Sequence, residues 1–207
     1  MQGPEGTASL ADQASDTSLP RVHAMATTVS TAIALGANCP GPAGSPLATL
    51  LQVRPQLEGL LQQLGYGTPQ WSPLFRTSPV GGPAGQPDFL NAVVLAHQQA
   101  DVQAHDLLLA LQQQEAHFGR QRREHWGPRS LDLDLLWCGG VAIQTAALTL
   151  PHPRLQQRRF VLAPLACLAP SLVPPGSCCS IAALLQQLPL LEDEAVTPLP
   201  GRPGWPE

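Results

Sequence analysis

Two apolar rhythms alternate along this 207-residue chain, one of period two and one of helical spacing. Val29 to Leu35 (VSTAIAL) reads as a buried strand that leaves the core at Gly36-Ala37-Asn38. From Leu47 to Leu64 the leucines fall at 47, 50, 51, 57, 60, 61 and 64, which lays one apolar stripe along a helix. Pro55 falls inside that stripe. An interior proline costs about 3 kcal/mol, so the spacing predicts a kink at Pro55 or a shorter helix with Pro55 in its first turn. Trp71 to Arg76 and Phe89 to Ala96 read as strands, joined by a long Gly/Pro loop over 77–88. Gln103 to Phe118 predicts a second helix with Ala104, Leu107, Leu108 and Leu111 inward, and Asp106 in the first turn, where a negative charge suits the helix dipole. Leu131 to Trp137 alternates as a strand, short β-like pieces follow over 141–150, and Ile181 to Leu188 reads as a short amphipathic helix.

The order strand, helix, strand, strand, helix, strand predicts an α+β fold with a ferredoxin-like βαββαβ core. Its sheet is mainly antiparallel, with helices on one face and the other face left for a site. One domain is expected over 29–190, preceded by a disordered leader over 1–28 and followed by an unstructured, Pro-rich tail over 191–207.

Charge narrows the chemistry. Charged residues make up 13% of the chain, against about 25% in typical domains. All 11 basic residues are arginine. A chain without lysine has no Walker A loop, no Schiff-base chemistry and no Ser-Lys dyad, so phosphate must be met by Arg, backbone amides, His or a metal. The net charge of -4 argues against binding nucleic acid by phosphate neutralisation and favours small-molecule partners. No apolar run approaches the roughly 18 residues that span a bilayer, and 1–28 lacks a signal-peptide core, so no membrane association is expected and the location expected is cytoplasmic. Five cysteines without C-x-x-C spacing are expected to be reduced thiols.

Within the strand over 131–137, Asp132 and Asp134 alternate with Leu131, Leu133 and Leu135. Period two puts both carboxylates on one face, where like charges repel unless a cation such as Mg²⁺ relieves them. Seven arginines lie between 120 and 159: Arg120, Arg122, Arg123, Arg129, Arg154, Arg158 and Arg159. Guanidinium groups bracketing an acidic pair suit a polyphosphate bound through metal. His152, in a Pro-flanked turn, is a candidate phosphate donor. Phe89 and Phe160 are candidates for stacking on a flat heterocycle, and Asn91, inside an apolar strand, offers an amide to a pterin or purine edge.

The segments ALGAN (34–38), FRTSPVG (75–81), QPDFLNAVV (86–94), EAHFGRQR (115–122), WGPRSLDLDLL (126–136) and LPHPRLQQRRFVLAPL (150–165) follow one another in an informative order. Together they resemble the successive motifs of the 6-hydroxymethyl-7,8-dihydropterin pyrophosphokinase family, over roughly Ser30 to Leu188. The resemblance implies transfer of the pyrophosphoryl group of ATP to the hydroxymethyl oxygen of the dihydropterin, giving AMP and the pterin diphosphate, a step in tetrahydrofolate biosynthesis. It implies two Mg²⁺ ions at Asp132 and Asp134, with Arg120 and Arg122 joining them as catalytic residues. Pterin contacts carry over to Thr77, Ser78, Val80, Phe89, Asn91 and Phe160. ATP contacts carry over to Gln112, Glu115, Arg120, Arg122, Trp126, Arg129, His152 and Arg158. A monomer is expected.

The chain departs from the family pattern in four places. His125 stands before the Trp where a basic residue is usual, and one residue is missing between Arg122 and Trp126. Ser78 replaces a common proline, and a Pro/Gly insertion follows Asn38, expected to lie away from the chemistry. The competing reading is an inactive paralogue or a non-catalytic ligand-binding module on the same scaffold.

Overall fold

The computed structural model describes residues 30–98, 102–121, 126–189, 195–201 and 204–205. Its elements run β1 (Ser30–Ala37), α1 (Pro46–Gln63), β2 (Gln70–Trp71), β3 (Phe75–Thr77), β4 (Phe89–His97), α2 (Ala104–His117) and β5 (Asp132–Cys138). The chain continues with β6 (Ile143–Gln144), β7 (Thr149–Leu150), a 3₁₀ turn over Leu155–Gln157, α3 (Arg159–Leu168), α4 (Ile181–Gln187) and β8 (Val196–Pro198). The main sheet has the order β5-β1-β4-β3-β8, with β2 also pairing β4, and its strand pairings among the described residues are antiparallel. The two central strands are the most apolar, and the first and last strands of the βαββαβ unit end up beside each other, as the element order predicts.

Alternation along the strands makes two different faces. Ile33, Leu35, Ala92, Val94, Leu133 and Leu135 are buried in one cluster with Leu50, Leu57 and Leu61 of α1 and Leu107 and Leu111 of α2. Ala32, Val93, Leu95, Leu136 and Trp137 are buried on the opposite side with Val161, Leu162 and Leu165 of α3 and Ile181 and Leu184 of α4. The second face is therefore not left bare. α3 and α4 cover one end of it, and the other end carries the polar residues.

Helix α1 runs unbroken through Pro55. Ser45 caps it by accepting from the Ala48 N–H at 3.2 Å, and Pro46 occupies the first turn, where no amide donor is needed. Pro55 lies on the exposed side, where water can satisfy the carbonyl that loses its helical donor, so the helix is not shortened to begin at Pro55. Within the tail expected to be unstructured, the described residues 195–201 and 204–205 are instead tied to the fold. β8 pairs with β3, and Trp205 is buried. Residues 1–28, the expected leader, lie outside the described residues.

Candidate active site

Where the central strands leave the core, their second-face positions turn polar. Gly36 on β1, Asn91 on β4 and Asp132 and Asp134 on β5 sit at neighbouring register positions, Gly36 opposite both Asn91 and Asp132. They line a cavity of about 490 Å³. Thr77, Ser78, Val80 and Phe89 close it from the β3–β4 side, Arg120, Trp126 and Arg129 from the loop before β5, and Arg158 and Phe160 from the start of α3.

The acidic pair is held by arginines from three directions. Arg129 Nη1 donates to Asp132 Oδ2 at 2.7 Å, and Arg158 Nη1 donates to Asp134 Oδ2 at 2.9 Å. Arg120 ion-pairs with both Asp132 and Glu115. Burial raises the Asp132 carboxyl above the usual carboxylate range, the charge of Asp134 raises it further, and Arg129 and Arg120 oppose the shift. A cation at the pair would relieve both upward pressures. Among the described residues no group of three or more His, Cys, Asp or Glu gathers around an ion. Two neighbouring carboxylates facing the cavity suit a hard divalent cation that takes its other oxygens from phosphate and water.

Glu115 does a different job from the one its exposure in an isolated helix would allow. It is buried, and its Oε1 accepts the Leu133 N–H at 2.7 Å as well as the Arg120 guanidinium. β5 is the edge strand, so Glu115 satisfies a backbone donor that has no strand partner there. Burial pushes its carboxyl up to about 7, against the pull of Leu133 N–H and Arg120. Burial works to lower the Arg120 pKa, but Asp132 and Glu115 outweigh it, and the net shift is upward. Gln112 and Glu115 line a second hollow of about 410 Å³ that shares Arg120 with the main cavity.

His152 stands outside the lining of the main cavity. Its Nδ1 accepts the Arg154 N–H at 3.1 Å, which places the proton of the neutral ring on Nε2. Burial lowers its pKa, Arg158 and Arg154 lower it further, and Asp134 opposes them, so the ring is neutral at pH 7. Arg122 lies outside the described residues.

Asn91 Nδ2 donates to Thr77 Oγ1 at 2.6 Å, which fixes the amide and leaves its oxygen toward the cavity side of Gly36. A Cβ at Gly36 would stand 2.8 Å from that oxygen, so only glycine keeps the amide edge clear. The Arg129 guanidinium lies 5.3 Å from the Phe89 ring centroid and that of Arg158 lies 5.4 Å from the Phe160 ring. Each aromatic wall is thereby coupled to an arginine that also holds the acidic pair.

Three residues without an assigned role, Asn38, Gln86 and Arg154, tie the loops together. Asn38 Oδ1 accepts the Arg129 N–H at 2.8 Å, while its Nδ2 donates to Pro87 O at 3.2 Å and Gln86 Oε1 at 3.4 Å. Gln86 Nε2 in turn donates to Trp126 O at 3.0 Å. The Trp126 carbonyl packs where a Cβ on Gly82 would go. Arg154, which also lines the cavity, lies 4.8 Å from the Trp126 ring. Asn38 belongs to the ALGAN motif and Arg154 to the arginine cluster, so both were visible in the sequence, but their partners were not.

The Pro/Gly insertion is not remote from this site. A Cβ at Gly41 would meet Ser130 at 2.8 Å, and one at Gly119 would meet Pro42 at 2.7 Å. The Cys39 N–H bonds Arg129 O at 3.3 Å. The insertion therefore braces both ends of the loop that carries Arg120 and Arg129, because a turn rich in Gly and Pro can approach a backbone closely.

The family model described as 7,8-dihydro-6-hydroxymethylpterin-pyrophosphokinase matches residues 32–170. The 2-amino-4-hydroxy-6-hydroxymethyldihydropteridine pyrophosphokinase of Synechocystis is 40% identical over 136 residues, 64% of this chain and 68% of that protein. The enzyme of the same name from Pseudomonas aeruginosa is 44% identical over 131 residues, 63% of this chain and 76% of that one. The Haemophilus influenzae enzyme is 37% identical over 145 residues, covering 70% and 84%. Among solved structures, Plasmodium falciparum HPPK-DHPS (wild type, with SDX-DHP) superposes with a TM-score of 0.52 at 13% identity, covering 77% of this chain. This chain spans only 43% of that longer one, and the likeness bears on the fold alone. The matched segment holds the whole cavity from Gly36 to Phe160, and the chain belongs to the 7,8-dihydro-6-hydroxymethylpterin-pyrophosphokinase family.

Proposed function

We propose that this site transfers the pyrophosphoryl group of ATP to the hydroxymethyl oxygen of 6-hydroxymethyl-7,8-dihydropterin, giving AMP and the pterin diphosphate for folate biosynthesis. The observation that carries the reading is the paired Asp132 and Asp134 facing one cavity with Arg120, Arg129 and Arg158. A non-catalytic module has no need of two aligned, partly desolvated carboxylates.

The residues divide the work by chemistry. Phe89 and Phe160 take the flat pterin between them, and Asn91, oriented by Thr77, offers acceptor and donor to its edge. Thr77, Ser78 and Val80 form the rim of that side. Arg120, Arg122, Arg129 and Arg158 hold the triphosphate oxygens by charge-assisted hydrogen bonds. Trp126, Gln112 and Glu115 belong to the ATP side, and the neutral His152 ring has an Nε2–H to donate there. Asp132 and Asp134 are the ligands for Mg²⁺, two ions in this reading, which when bound neutralise charge developing on the phosphate oxygens. Arg120 and Arg122 stabilise the charge moving toward the AMP leaving group. The enzyme acts as a cytoplasmic monomer on small molecules, without nucleic acid. Among the described residues no helix is long and apolar enough to cross a membrane.

The test is product analysis. With ATP, Mg²⁺ and the hydroxymethyl dihydropterin, AMP and pterin diphosphate should form in equal amounts without ADP. Arg120→Ala should slow the step roughly 100-fold if the guanidinium supplies about 3 kcal/mol to the transition state. Stoichiometric ADP with a monophosphorylated pterin would overturn the reading.

A further inference from the structure

The C-terminal segment lies wholly beyond the family match at 32–170, yet it reaches the rim of the site. β8 pairs with β3 in the register Phe75↔Pro198, Arg76↔Thr197 and Thr77↔Val196. The pairing extends past both ends of the strands, because Ser78 N–H donates to Ala195 O at 3.0 Å and Leu199 N–H donates to Leu74 O at 2.7 Å. Thr77 and Ser78 both line the cavity, and Thr77 also receives the amide of Asn91. β3 has only three residues. Without β8 it would be a short edge strand held on one side by β4, and such strands are marginal.

The far end of the segment is anchored in the opposite core. Trp205 is buried with the α1 and α2 leucines, its indole N–H donates to Ser72 O at 2.8 Å, and it meets Trp71 edge-on with centroids 5.2 Å apart. Arg54 of α1 lies over both rings and donates to Gly204 O at 2.7 Å. The anchor grips Ser72, three residues before β3, while Ala195 grips Ser78, immediately after it. The strand is thus clamped at both ends by one piece of chain.

We infer that residues 195–201 and 204–205 form a positioning strap for the pterin side of the site, setting Thr77 and Ser78, and through Thr77 the Asn91 amide, in their binding positions. Ser78 is central to this, since its backbone N–H is the bond nearest the cavity, and a proline at that position would have no such donor. On the ATP side, Arg120, Arg129 and Arg158 are held instead by Glu115 and the acidic pair, and among the described residues none of these ion pairs involves the C-terminal segment. The inference rests on the functional reading for the identity of the ligand.

Two variants of the full-length chain separate the strap from general stability. Thr197→Pro removes a backbone donor from the middle of β8, and Trp205→Leu keeps an apolar anchor while removing the indole bond. Each should raise KM for the pterin roughly tenfold and leave KM for ATP within about twofold, as expected for lost binding on one side only. A reciprocal measurement needs no variant. If pterin binding and strap docking are coupled, adding pterin to wild-type protein saturated with a non-hydrolysable ATP analogue should slow amide exchange at Ser78, Thr197 and Leu199 relative to the analogue alone. Parallel changes in both KM values, or no change in either, would overturn the inference. So would strap exchange that ignores the pterin, which decides the matter alone if the variants fail to fold. A wild-type chain that binds ATP but no pterin overturns the functional reading itself, and the strap's assignment with it.

Discussion

On β5, Leu133 and Leu135 turn toward the leucines of α1 and α2, while Asp132 and Asp134, one residue away in each case, turn toward arginines and a cavity. The same alternation builds both faces, but the first is closed by apolar contact and the second is held open by charge. On the closed face each side chain can be satisfied by any neighbour of the right volume. On the open face each carboxylate needs a named partner, and the partners come from three separate segments, at Arg120, Arg129 and Arg158. Stability is concentrated on one side of the strand and chemistry on the other.

Substitutions on alternate residues of β5 should therefore separate the two properties. Asp132→Ala or Asp134→Ala removes a metal ligand, and turnover should fall at least about 1000-fold, by the tenfold per 1.36 kcal/mol rule. Far-ultraviolet circular dichroism should stay unchanged. Leu135→Ala leaves a cavity in the α1/α2 core and should lose about 2–5 kcal/mol of stability, while turnover per folded molecule drops by less than about tenfold. Denaturant melts and initial rates on the same four proteins measure both, and an Asp variant that keeps wild-type turnover would erase the distinction between the faces.

The closed face was the more legible of the two in sequence. The leucine spacing of α1 and α2 and the alternation of β5 predict which residues go inward, because burial against any apolar surface obeys the local period. α3 was not foreseen, since RFVLAPLACL is apolar nearly throughout and carries Pro164 in its interior, which masks the helical spacing of Val161, Leu162 and Leu165. β8 has three residues and ends in Pro198, and it is a strand only because β3 lies beside it. On the open face the motifs marked Asp132, Asp134, Asn91 and Phe160, and the structure gathers these around one cavity. The support behind them was not legible. Glu115 reaches Leu133 across 18 residues of sequence and Asn38 reaches Arg129 across 91, and no local pattern encodes such contacts.

Glu115 joins the two faces, so its titration should be felt in stability. Its folded pKa of about 7 lies above the ordinary value of 4.5. A group raised in this way contributes fully below its unfolded pKa, and that contribution is lost as pH rises from about 4.5 through 7. The loss is at most about 3 kcal/mol at 1.36 kcal/mol per unit. Arg120, Asp132 and the Leu133 N–H are the groups that face it, and none of them is removed by Glu115→Gln. In metal-free buffer, the variant should show a flatter fall in stability between pH 5 and pH 8 than the wild type. Identical slopes from urea melts across that range would mean that Glu115 is ionised throughout.

Asn38 offers the finest division, because its side chain lies at the end of β1 where the closed core gives way to the loops. Its amide is buried and bonds the base of the arginine-bearing loop through Arg129 N and the base of the 77–88 loop through Pro87 O. Asn38→Ala removes these two bonds and the one to Gln86 Oε1 at once, while the backbone bond from Asn38 N to Arg129 O, 3.0 Å long, can remain. Leaving buried polar groups without partners costs about 1–3 kcal/mol, and that cost falls on local opening, since among the described residues neither loop contributes to the α1/α2 cluster. Amides of both loops should exchange roughly 10- to 100-fold faster, while exchange in β1 and β4 and the global unfolding midpoint change little. Asn38→Asp keeps an acceptor for Arg129 N–H but loses the donor to Pro87, so it should loosen the 77–88 loop more than the 120–129 loop. Equal loosening of the two loops in the Asp variant would show that they open as one unit, and that Gln86 and Trp126, rather than Asn38, couple them.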